Sequence, residues 1–142
     1  MDAKVITRYD TDLEDRLACA LQTVYEVDSE TPLEPFRLAD GHQVLLKRED
    51  RSKVRSYKWR GAYHKIAQCV ASGDRGPFAA TSAGNHAQGV AVAARALGVH
   101  ATIFMPKTTP QLKREAVASI GGDCVDIQLS LIHISEPTRL ES

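Results

Sequence analysis

The chain has 142 residues, 18 basic and 18 acidic side chains, a formal net charge of zero and 43% hydrophobic residues. That composition excludes a disordered polyelectrolyte and weighs against a general binder of nucleic acid or anionic membranes. No run reaches the ~18 apolar residues of a spanning helix. The N-terminus lacks the apolar stretch of a signal peptide, and Asp2, Asp10 and Asp12 disfavour a transit peptide. Cys19, Cys69 and Cys124 form no CxxC pair. They are expected to be small buried thiols of a cytosolic protein.

In chain order, Leu13, Leu17, Leu21 and Val24 predict an amphipathic helix over 11–28. Thr31-Pro32-Leu33 and Pro35 are read as a break. Val44-Leu45-Leu46 is a strand candidate after Gly41. Ala62, Tyr63, Ile66, Ala67 and Val70 predict a helix over 59–70, ended by Gly73 and Gly76-Pro77. Phe78-Ala79-Ala80 is a short buried strand, followed by a small polar turn at 81–86 and an alanine-rich helix over 87–97 with Gly98 as its closing residue. A strand over 101–105 stops at Pro106. A helix over 108–120 follows, with Thr108 or Thr109 as N-cap, Pro110 near its first position and Gly121 just past its end. Cys124-Val125-Asp126-Ile127 is a last strand. Strands alternating with helices of about ten to thirteen residues predict an α/β fold with an open parallel sheet.

Residues 131–142 break this rhythm. They read like a translated sequencing adaptor, so the tail is expected to be non-native. An unbroken native reading frame past codon 130 in the source DNA would overturn that expectation.

The chemistry gathers in two segments, each between a strand and a helix: Ser56-Tyr57-Lys58-Trp59-Arg60-Gly61-Ala62 and Ser82-Ala83-Gly84-Asn85-His86-Ala87-Gln88-Gly89. Open α/β sheets bind ligands outside the carboxyl ends of their strands. Lys58 opens a helix, where the partial positive charge of free backbone N–H groups favours the neutral amine needed for a Schiff base. On position alone, a solvated lysine in a charged stretch is the alternative. Gly84 lets backbone approach a ligand, Asn85 tolerates left-handed geometry, and N–H groups at a helix start bind carboxylate or phosphate. An ordinary capping turn is the alternative there.

Together, in this order and separation, the two segments resemble the fold-type II pyridoxal-phosphate enzymes, and within them the threonine (serine/threonine) dehydratases. The first is similar to that family's Ser-x-Lys-x-Arg-Gly-Ala lysine motif, the second to its Ser-[Ser/Ala]-Gly-Asn-His-[Ala/Gly]-Gln-Gly loop. Supporting matches are Thr31-Pro32-Leu33, Leu46-Lys47-Arg48-Glu49-Asp50, Met105-Pro106, Thr109-Pro110 and Lys113. The resemblance covers about residues 8–130.

The resemblance implies that Lys58 bonds pyridoxal 5'-phosphate as a Schiff base and, once displaced, takes the substrate's Cα proton. It implies that Asn85 hydrogen-bonds the cofactor's ring hydroxyl oxygen, and that Ser82, Gly84 and His86 form the substrate-carboxylate loop. The implied activity is dehydration and deamination of L-threonine, and of L-serine, to 2-oxobutanoate or pyruvate and ammonia in isoleucine biosynthesis. A catabolic serine/threonine dehydratase and a threonine synthase-like enzyme are the neighbouring alternatives. Racemases of this fold place a second serine at position 83; alanine there favours a dehydratase. Arg60 is read as a structural ion-pair partner. Tyr57 and Trp59 depart modestly from the family's residues and bear on fine substrate preference.

The resemblance also implies a three-layer fold truncated within the second, smaller domain. Residues 1–85 are expected in the large cofactor-binding domain, 86–130 at the start of the smaller one, and 131–142 as the tail. The family's glycine-rich phosphate loop and pyridine-nitrogen partner lie further on, so the chain alone is expected to be weakly active or inactive. Expected partners are a small amino acid and, for a full-length parent, one or three further copies; neither nucleic acid nor membrane is expected. The run 47–60, with seven basic and two acidic side chains around Tyr57 and Trp59, leaves a single-stranded RNA module as a reading from another class. A non-catalytic fragment is a third. His42, His64 and His100 have no metal-ligand spacing and are read as surface or partly packed, and no metal is expected.

Overall fold

A computed structural model describes residues 11–130; residues 1–10 and 131–142, including the expected non-native tail, lie outside the described residues. The centre is a parallel sheet of β3 (Phe78–Thr81), β4 (Ala101–Pro106) and β5 (Val125–Ser130), in that spatial order. Ala80 pairs with Ile103, and Ile103 with Ile127. Parallel neighbours need crossover connections, supplied by α3 (Asn85–Leu97) and α4 (Gln111–Gly121). Ala101, Ile103 and Met105 alternate along the central strand and are wholly buried.

Helix α2 (Lys58–Ala71) lies against α3. It buries Trp59, Ala62, Tyr63 and Ile66, one stripe of its surface. On α3 the buried set includes Ala87, Val90, Ala91 and Ala94. The expected division after residue 85 falls at the start of α3, and the buried cluster draws residues from both sides of it. The α3 helix ends at Gly98, whose φ of 61° is the left-handed conformation predicted for its closing residue.

Helix α1 (Thr11–Tyr25) forms where the leucine spacing predicts it, yet Leu13, Leu17 and Leu21 stay about half exposed and only Val24 of that stripe is buried. The period reports the helix, while the burial depends on what covers it.

The segment read as a break is a strand. β1 (Leu33–Arg37) pairs antiparallel with β2 (Gln43–Lys47), Pro35 opposite Leu45. Leu38 N–H donates to His42 O, and Arg48 N–H to Pro32 O. Hydrogen-bonded pairs therefore fall on the even positions of β1, and the missing N–H of Pro35 points out of the ladder.

Two further expectations are corrected. Helix α4 begins at Gln111 with Pro110 itself as N-cap at ψ 140°, and its C-cap is Gly122 rather than Gly121. Proline fixes a usable φ but contributes no side-chain acceptor. The cysteines are not all buried: Cys19 is exposed on α1, and Cys69 and Cys124 are half-buried.

Candidate active site

At the carboxyl end of β3 the last rung is Ser82 N–H donating to Phe104 O at 3.1 Å. The chain then turns. Gly84 N–H donates to Ser82 Oγ at 3.2 Å, and α3 starts at Asn85. Gly84 is the N-cap and brings no side chain to accept from the first turn. A helix leaves its first N–H groups without intrahelical partners, and these form an anion-binding end. A Cβ built on Gly84 meets nothing within 4 Å, so this side of the turn is open. Asn85 and His86 are exposed; Ser82, Ala83 and Gly84 are half-buried.

Lys58 is the first residue of α2 and its side chain is exposed. Among the described residues its ammonium has no hydrogen-bond or ion-pair partner, so the amine is available. Its backbone is fixed from two sides. On one, Lys58 N–H donates to the hydroxyl of buried Ser56 at 3.2 Å. On the other stands Gly89 of α3, where an added Cβ would lie 2.7 Å from Trp59 Cα and 3.4 Å from Lys58 O. Gly89 is four residues past Asn85, about 6 Å along the helix axis. Two predicted segments are thereby brought together: the start of the lysine helix rests on the first turns of the helix that carries the Ser82–His86 turn.

Arg60 takes the structural part expected of it. Its guanidinium donates to both oxygens of Glu49 at 3.2 Å, and Thr31 Oγ1 donates to Glu49 Oε1 at 2.6 Å. The guanidinium also lies 5.2 Å from the Tyr25 ring centroid and 5.3 Å from that of Trp59. This knot joins α1, the hairpin and α2. Tyr57 is exposed, whereas Trp59 is buried against Tyr63. Of the two atypical residues flanking the lysine, only Tyr57 faces outward.

The basic run is largely matched by local acids. Lys47 bonds Glu30 at 2.9 Å, Arg51 bonds Glu34 at 2.8 Å, and Arg48 bridges Glu34 at 2.5 Å and Asp50 at 2.7 Å. Hydrogen bonds from Arg48 hold the Asp50 carboxyl below its ordinary range, and Lys47 does the same for Glu30. These pairs order the hairpin and the approach to α2.

Sequence reasoning missed a cavity of about 300 Å³ between α2 and the outer edge of β3, bordered by Gly61, Lys65, Cys69 and His86. His86 thus faces the α2 side of its turn. Helical spacing of Gly61, Lys65 and Cys69 marks a common face, but only the fold sets β3 beside it. Of the histidines set aside, His42 and His100 are exposed, near Asp40 and Asp126, and His64 is half-buried.

A parallel sheet with a lysine-led helix and an open Ser-x-Gly-Asn-His turn at its carboxyl end is an arrangement shared with a known class of enzyme. Residues 24–137 match the family model described as pyridoxal-phosphate dependent enzyme, and the chain belongs to that family. It is 48% identical over 103 residues to the biosynthetic L-threonine dehydratase IlvA of Pasteurella multocida, covering 70% of this chain and 20% of that protein. It is 45% identical over 114 residues to IlvA of Bacillus subtilis, covering 78% of this chain and 27% of that protein. The processed form of threonine deaminase isoform 2 from Solanum lycopersicum superposes with a TM-score of 0.71 at 38% identity, over 91% of this chain and 38% of that structure. The chain thus spans about a fifth to a quarter of the length of these two curated relatives. Among the described residues no helix is long and apolar enough to cross a membrane.

Proposed function

We propose that this chain is the lysine-bearing part of a pyridoxal-phosphate dehydratase that converts L-threonine, and L-serine, to the 2-oxo acid and ammonia. The supporting observation is the contact at Gly89, which joins the start of the Lys58 helix to the helix of the Ser82–His86 turn. The residues fit the cofactor: a free exposed amine, an uncapped helix start and an open face at Gly84.

Lys58 Nζ would hold the cofactor's aldehyde carbon, and the Asn85 amide would hydrogen-bond its ring hydroxyl oxygen. When bound, pyridoxal phosphate supplies a conjugated ring that takes up the electron pair left at the substrate Cα. Ser82, Gly84 and His86 would form the substrate-carboxylate loop: the Ser82 hydroxyl and the first-turn His86 N–H would donate to the carboxylate, Gly84 would leave it room, and the substrate's Cα–H would turn toward the amine. Lys58 Nζ, once released, would take that proton. Ala83 offers no proton on the opposite face, so re-protonation there is disfavoured. The electron pair left at Cα would instead expel the β-hydroxyl, which would leave as water with the proton taken by Lys58, and the released aminoacrylate would be hydrolysed to the 2-oxo acid and ammonia. The word biosynthetic in the relatives' names supports a biosynthetic role, which we read as isoleucine synthesis; an oligomeric, cytoplasmic parent is part of the same proposal.

The test is to add pyridoxal phosphate, follow visible absorbance, reduce with borohydride and map the labelled peptide. Label concentrated on Lys58 is expected. Label spread evenly over the exposed lysines would sink the reading.

A further inference from the structure

Between the short 3-10 turn Glu49–Arg51 and α2, the chain makes a tight excursion over residues 52–56. Its ends, Ser52 and Ser56, are buried, while Lys53 and Arg55 between them are exposed. Both ends are tied by one hydroxyl. Ser56 N–H donates to Ser52 Oγ at 3.0 Å. The single Ser52 proton has two backbone acceptors, Glu49 O at 2.9 Å and Ser56 O at 3.2 Å. Ser56 in turn presents its own hydroxyl to Lys58 N–H at 3.2 Å. The excursion closes at a cost: Arg55 has φ 53°, a left-handed conformation unusual for a residue with a side chain.

We propose that Ser52 is a positioning residue for Lys58, acting through Ser56. Ser52 lies outside the motif that singles out Lys58, and touches neither its amine nor the turn at 82–86. Its hydroxyl gives the buried Ser56 N–H its acceptor and so fixes the acceptor that Ser56 offers to Lys58. Without it, Ser56 N–H is left buried and unpaired, and Arg55 has less to hold it at positive φ. The excursion relaxes, and the lysine leaves its fixed start on α2. The inference rests on the proposed role of Lys58.

The experiment treats the whole chain with pyridoxal phosphate and borohydride, well below the melting temperature of every variant. It measures labelling of Lys58 relative to Lys65 and Lys113, exposed lysines of the same molecule. A general loss of stability does not change that internal ratio. In Ser52→Ala the ratio should fall about fivefold, matching one buried hydrogen bond. Ser52→Thr, which keeps the hydroxyl, should restore it to within about twofold. An unchanged ratio in Ser52→Ala, or an equal fall in Ala and Thr variants, overturns the inference and leaves the role of Lys58 standing. A wild-type ratio near one removes the proposed function and this inference with it.

Discussion

Gly89 and Trp59 meet backbone to backbone: the position a Cβ would take on Gly89 is 2.7 Å from Trp59 Cα. No side-chain adjustment relieves such a contact, because the obstacle is main chain. Gly89→Ala must push α2 and α3 apart, an overpacking cost of about 1–3 kcal/mol. A lowered melting temperature and a parallel loss of Lys58 labelling are expected. An alanine variant that melts and labels like wild type would show that the helices are not held at this point.

Lys58 itself carries little of the fold. It is exposed and unpaired among the described residues, so Lys58→Ala should change stability by no more than about 0.5 kcal/mol. It should nevertheless abolish the preferred borohydride label. Circular dichroism melting and peptide mapping on the same sample separate the two effects.

The Glu49–Arg60 pair should matter more. Arg60 and Glu49 side chains are 19% and 21% exposed and linked to Thr31. Arg60→Ala removes two hydrogen bonds and the guanidinium near Tyr25 and Trp59. A loss of about 1–3 kcal/mol is expected in urea unfolding. A change below about 0.5 kcal/mol would place the pair with ordinary surface ion pairs.

Burial pushes the Tyr63 hydroxyl up, with the charge of Glu26 adding to the effect. A folded-state value raised above the unfolded one gives stability that is complete below the ordinary tyrosine range. That stability is lost as pH climbs through the folded value. Melting temperature should therefore fall above about pH 10, and Tyr63→Phe should flatten that limb. An alkaline limb identical in the phenylalanine variant would assign it to other groups.

The outer edge of β3 has no partner strand among the described residues, and Ala79 on it is exposed. Unpaired edges template association. Ala79→Lys should lower light scattering at high protein concentration while leaving the melting temperature nearly unchanged. Equal scattering in both proteins would point instead to the exposed leucines of α1.

How much of this the sequence reveals follows physical lines. The β3–α3–β4–α4–β5 succession was legible because α3 is rich in alanine and valine and closed by Gly98, α4 is bracketed by Thr109-Pro110 and Gly121, and the strands show as short stretches of apolar residues, interrupted in β5 by Asp126. β1 was hidden because Glu34-Pro35 carries no strand pattern and the pairing that excuses Pro35 lies across the hairpin. The motif residues could be named, yet their support could not. Ser52 has no distinguishing neighbour in sequence, and the need for glycine at position 89 appears only when Trp59 is set against it.

The helix behind the turn is placed chiefly by alanines. Ala87, Ala91, Ala93 and Ala94 are all wholly buried. Alanine has no rotamers to surrender, so its burial carries no side-chain entropy loss, whereas a buried leucine loses roughly 0.5–1 kcal/mol of that freedom. Nor can alanine settle into an alternative rotamer when a neighbour shifts. The helix carrying Asn85 and His86 therefore has its seat fixed by backbone shape, and disorder entering elsewhere in the chain has few side-chain hinges through which to reach it.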